Sequence, residues 1–130
     1  METSWYEATN ETRALPLATR TVRAASFGGR LRGLLGRTSF EPGEGLHLEP
    51  CNSIHTFFMR FPIDVLFLDR EGVVVLALGR VPPWRATRIV RAARSVLELP
   101  AGIIAATTTA EGDRVRFHQR LSLDRESAIR

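Results

Sequence analysis

Ile63-Asp64-Val65-Leu66-Phe67-Leu68, then Asp69-Arg70-Glu71-Gly72, then Val73-Val74-Val75-Leu76-Ala77-Leu78 is the stretch that decides the fold. Two apolar runs flank a polar tetrapeptide ending in glycine, which reads as a β-hairpin. Both runs lack a polar face. Strands of that kind belong in the middle of a sheet, covered on each side.

Working outward from the hairpin, the upstream segment Ser53-Ile54-His55-Thr56-Phe57-Phe58-Met59 is also dense in apolar residues, and Pro62 breaks it from the strand. Pro42, Gly43 and Gly45 mark a loop before a short strand at Leu46 to Leu48. Leu31, Leu34 and Leu35 recur at helical spacing, so a short helix is expected over Ser26 to Arg37, with Ser26 as N-cap. Nearer the start, Trp5 to Asn10 and Ala18 to Ala25 read as strands separated by Glu11 to Pro16. Downstream, Pro82-Pro83-Trp84 ends the hairpin's second strand. Ser95 to Leu99 is a further strand, Pro100 to Ala106 one helical turn, and Arg114 to His118 a last strand. Many short strands and few helices predict a mainly β fold, a compact antiparallel β barrel or sandwich with one or two short helices. The 130 residues suit a single domain over 1–120, with 121–130 a polar, frayed tail.

Composition narrows the chemistry. All 18 basic residues are arginine. A chain without lysine has no Schiff-base lysine, no pyridoxal-phosphate attachment and no phosphate-loop lysine. One cysteine, Cys51, excludes an intrachain disulfide, a Cys-x-x-Cys pair and a cysteine-ligated cluster. A lone thiol fits a reducing compartment, and no basic leader or apolar span of about 20 residues is present. The expectation is a cytoplasmic protein, monomer or small oligomer, with no membrane contact.

Several residues are candidates for a site. Cys51, His55 and Asp64 are the residue types of a nucleophile, base and orienter, which would make a hydrolase-like or other enzyme. The plainer account has a buried thiol, a hydrogen-bonded histidine and a carboxylate that caps a turn. His47, Cys51 and His55 step evenly along the chain, but Pro50 interrupts them and His118 is far away, so no metal is expected. Nor is any cofactor expected. Arg60 and Asp64 flank large apolar runs, where a charge needs a partner. They either pair with one another or with Glu98, or they form a polar site that takes an anionic ligand, with His55 nearby.

Charge location adds a second site. From Gly72 to Leu97 there is no acidic residue and there are five arginines, Arg80, Arg85, Arg88, Arg91 and Arg94. The rest of the chain carries 13 arginines against 14 acidic residues, so the whole net charge of +4 resides in this segment. With Trp84 beside them, Arg85, Arg88 and Arg91 suit phosphate contacts and base stacking. The alternative is an ordinary solvated loop. The favoured function is therefore a binding module for an anionic ligand, nucleic acid or acidic protein.

Phe57-Phe58-Met59-Arg60-Phe61-Pro62-Ile63-Asp64-Val65-Leu66-Phe67-Leu68-Asp69 resembles the signature of a widespread prokaryotic family, domain of unknown function 192. Arg30-Leu31-Arg32-Gly33-Leu34-Leu35-Gly36-Arg37 is similar to its upstream element. Val96 to Gly102 and Gly112-Asp113-Arg114-Val115 are similar to its downstream pair. The resemblance spans about Ala18 to Phe117 and implies a mainly β fold. It implies no activity, because the family has none assigned. The chain departs from the common pattern at Arg60-Phe61, where a short polar pair often stands, and lacks the secretion signal of many members.

Overall fold

The computed structural model describes residues 4–24, 34 and 36–121. Seven strands, β1 (Ser4–Asn10), β2 (Leu15–Ala24), β3 (Glu44–Leu48), β4 (Ile63–Leu68), β5 (Val74–Val81), β6 (Ser95–Pro100) and β7 (Val115–Leu121), form one sheet in the order β5-β4-β6-β3-β2-β1-β7. The central position read for the hairpin's first strand is observed; the one read for its second is corrected, because β5 lies at the sheet's edge and only Val74 in it is fully buried. Every residue of β4 and of β6 is buried. Alternate side chains go to opposite faces. Val65, Phe67 and Val96 enter one apolar cluster with Leu46, Leu48 and Met59. Leu66, Leu68, Leu97 and Leu99 enter another with Leu17, Val74 and Val115.

The mainly β fold with a short helix is observed, and the antiparallel barrel or sandwich is corrected in two respects. First, β2 and β3 pair in parallel, from Arg20↔Glu44 to Ala24↔Leu48, which makes the sheet mixed. A parallel neighbour needs a long crossover rather than a hairpin, and residues 25–43 stand between the two strands in the sequence. Second, the sheet does not close. Its outer strands β5 and β7 approach at one isolated bridge, Val73↔Arg114, and the ladder goes no further. Gly72 makes that approach feasible. Its φ is +85°, and a Cβ there would lie 2.5 Å from the Val115 carbonyl oxygen.

A short helix, α1 (Ile103–Thr107), follows β6 and starts three residues after the expected turn's first residue, Pro100. The helix expected over Ser26 to Arg37 falls on residues outside the described ones apart from 34, 36 and 37, as does the tail beyond 121. A polar hub ties the β1–β2 turn to the turn before β7. Asn10 Nδ2 donates to Thr109 Oγ1 and Asp113 Oδ2, and Arg13 Nε donates to Asp113 Oδ2 at 2.6 Å. Burial raises the Asp113 pKa, but the hydrogen bonds from Asn10, Arg13 and the Ala110 amide prevail and hold it below the ordinary carboxylate value.

Candidate functional site

Asp64, on β4, is 1% exposed, and both its oxygens are occupied by backbone donors. Oδ1 accepts the Arg80 N–H at 2.8 Å. Oδ2 accepts the N–H groups of Gly102 at 3.1 Å and Ile104 at 2.7 Å. The carboxylate thus caps α1 and anchors the irregular end of β5. No ion pair joins it to Arg60, which is exposed, while Glu98 is buried on β6.

Cys51, His55 and Asp64 sit in three separate networks. The Cys51 thiol is buried and donates to the Ser53 carbonyl at 3.1 Å. His55 is exposed, and its Nδ1 accepts the Phe57 N–H at 3.2 Å. Among the described residues, no group of three or more His, Cys, Asp or Glu is placed to hold a metal ion.

What the fold does bring together is the loop before β4 and the arginine-rich loop after β5. Residues 51–56 run antiparallel to 84–94 through main-chain bonds. Cys51 N–H donates to Arg94 O, Val90 N–H to Asn52 O, Thr87 N–H to Ile54 O and Thr56 N–H to Arg85 O, at 2.8–3.0 Å. Thr56 is the fully buried pin. Its hydroxyl donates to the Pro82 carbonyl at 2.7 Å and accepts the Arg85 N–H at 2.9 Å. Its own carbonyl accepts the Trp84 N–H at 3.0 Å.

That pinning places four rings in one exposed cluster. Phe58 and Trp84 are 4.7 Å apart, Phe57 and Trp84 6.0 Å, and His55 stacks on Phe57 at 4.9 Å. Phe58 is 68% exposed and Trp84 56%. Both have φ of 67°, the left-handed region that bulky residues avoid at a cost of about 1–2 kcal/mol. The sequence pattern puts Trp84 in a site but Phe57 and Phe58 in an apolar run. Only Met59 of that trio is buried. The available signal was Pro62, which separates the run from β4 and leaves it free to be a loop.

A groove of about 520 Å³ adjoins this platform. One wall is β5 from Leu76 to Val81, and the other is Arg85 to Arg88. Arg80, Arg85 and Arg88 therefore line one groove, with the Arg80 guanidinium set against Gly102, while Arg94 lines a different hollow with Cys51 and Arg91 stands exposed elsewhere on the loop. Six of the arginines in other parts of the fold are engaged. Arg13, Arg37, Arg116 and Arg120 are ion-paired, and Arg20 and Arg23 lie over Trp5 and Tyr6. Among the described residues Arg80, Arg85 and Arg88 form no ion pair.

His47, on β3, lies apart from this surface. It is buried, stacks on Phe117 at 4.2 Å, and its Nδ1 accepts from Arg23 Nε at 3.2 Å. Burial, reinforced by the Arg23 charge, lowers its pKa from 6.5 to about 4.

The chain can be set beside known proteins. The family model DUF192, described as an uncharacterized ACR, matches residues 8–117. A UPF0127 protein of Pyrococcus furiosus is 39% identical over 69 residues, 53% of this chain and 59% of that one. Another, of Pyrococcus abyssi, is 40% identical over 65 residues, 50% and 55% of the two chains. The matches thus span under two thirds of these relatives' length. A crystal structure of a protein of unknown function from Novosphingobium aromaticivorans superposes with a TM-score of 0.73 at 19% identity, covering 86% of this chain and 83% of that one. One from Sinorhizobium meliloti, offered as a candidate transcription regulator, gives 0.72 at 19% identity, covering 90% and 94%. At that identity the likeness concerns the fold alone.

Proposed function

The chain belongs to the uncharacterized family DUF192, and on that premise we propose that it is a binding module for an anionic partner. The partner docks where the loop before β4 meets the arginine-rich loop after β5. Arg85 and Arg88 supply charge, with Arg60 exposed on the adjoining loop. The rings of Phe58 and Trp84 supply flat apolar surface. One observation carries the reading. Two large aromatic residues are held outward in a costly backbone conformation, fixed by a buried threonine. Strain of this kind persists where a surface has a task, and apolar groups held in water are a sign of a partner. The separation of Cys51, His55 and Asp64 into different networks favours binding over catalysis.

The test is a titration followed by tryptophan fluorescence, in which Trp84 is the reporter and the Trp84→Ala variant leaves only Trp5. Inorganic polyphosphate, oligothymidylate and an acidic peptide are added at low and high salt. Binding that quenches Trp84 and weakens with salt supports the reading. No response at low salt from any of the three overturns it.

A further inference from the structure

We infer that the partner is an acidic polypeptide segment, bound in extended form as an added strand along the free edge of β5; this rests on the reading just proposed. β5 pairs only with β4. At its start the outer edge is occupied, since the N–H of Val74 donates to Asp113 O and its carbonyl accepts from Gly112 N–H. From Leu76 onward no strand pairs with that edge among the described residues, and the 520 Å³ groove runs along it. Unpaired main-chain groups beside a groove are what an extended peptide uses to join a sheet.

The opposite edge of the sheet shows the contrast. β7 carries charged side chains, and two of them are ion-paired back toward its neighbour β1 and the turn that follows it. Arg116 is 3.0 Å from Glu11 and Arg120 is 3.1 Å from Glu7. Such charges are how sheets keep strangers off an edge. Along the β5 groove the residues are Leu76, Ala77, Leu78 and Gly79, and the three arginines beside them have no counter-ion within the described fold. A strand carrying Glu or Asp at alternate positions would satisfy both features at once. Its main chain would complete the ladder, and its carboxylates would meet Arg80, Arg85 and Arg88.

The experiment uses a fluorescein-labelled peptide of alternating Val and Glu. Its control is the same peptide with every second backbone amide N-methylated, which keeps the charge and removes ladder donors. The alternating peptide should bind at low salt and slow amide exchange in residues 76–81 by at least ~fivefold, the signature of main-chain pairing. N-methylation, or the paired loop substitutions Arg85→Glu and Arg88→Glu, should weaken binding by at least ~tenfold. Equal binding of the methylated peptide, or unchanged exchange in β5, overturns strand addition. If Trp84 is still quenched in that case, the anionic-partner reading stands. Oligothymidylate binding with both peptides silent also overturns the inference and leaves that reading. Silence of every probe removes both.

Discussion

Thr56 and Pro82 are joined by a 2.7 Å hydrogen bond from the threonine hydroxyl to the proline carbonyl, 26 residues away, at the seam between the two site-forming loops. The same oxygen receives the Arg85 N–H. Thr56→Val keeps the shape and removes the hydroxyl, leaving the Pro82 carbonyl and the Arg85 N–H without this partner at a part-buried seam. Stranded groups of this kind cost about 1–3 kcal/mol each. The variant should therefore lose about 2 kcal/mol in chemical denaturation and bind its partner more weakly, because the aromatic cluster is no longer fixed. Wild-type stability would show that the main-chain ladder suffices without the pin.

Asp64→Asn addresses the other anchor. The carboxylate accepts three N–H groups, and an amide presents two donors of its own to that donor-rich pocket. The expected loss is about 3 kcal/mol, since bonds to a charged acceptor are the stronger kind. Hydrogen exchange should quicken at both Arg80 and Ile104. A change confined to one of them would mean that the carboxylate does not couple α1 to β5.

Much of this was legible in the chain. The hairpin of β4 and β5, the buried faces of β4, the strand at β6 and the localised positive charge follow from patterns over a few residues. Pairing of β2 with β3 does not, because strand neighbours far apart in sequence leave no local trace. Asp64 was visible as a polar residue among apolar ones, yet its partners lie 16, 38 and 40 residues away. Phe57 and Phe58 misled for a different reason. Apolar composition reads as core, and only the tertiary pin at Thr56 turns those rings outward.

His47 predicts a pH dependence. Its folded pKa of about 4 lies below the ordinary 6.5, so the unfolded chain binds the proton more tightly. The stability from keeping His47 neutral is therefore complete above pH 6.5 and is lost as pH falls from 6.5 towards 4. A gap of that size corresponds to roughly 3 kcal/mol. Asp113 also has a lowered pKa, but its contribution fades only below the ordinary carboxylate range, so measurements from pH 7 to 5 separate the two. Urea midpoints should fall over that interval in the wild type and stay nearly level in His47→Phe. Parallel slopes in the two proteins would place the sensitivity elsewhere.

Phe58→Gly separates the demands of folding from those of binding. Phe58 has φ of 67° and is 68% exposed, so its ring gains little from burial while its backbone carries strain. Glycine adopts that conformation freely, which returns about 1 kcal/mol, offset in part by the entropy that glycine loses on folding. The contact with Trp84 at 4.7 Å disappears, and with it the most exposed hydrophobic ring of the cluster. Thermal denaturation should show a variant at least as stable as the wild type, whereas fluorescence titration should show affinity for the anionic partner reduced at least ~fivefold. A variant that binds fully would mean the outward ring serves no partner, and one that is clearly destabilised would mean the ring is held out for the fold's own sake.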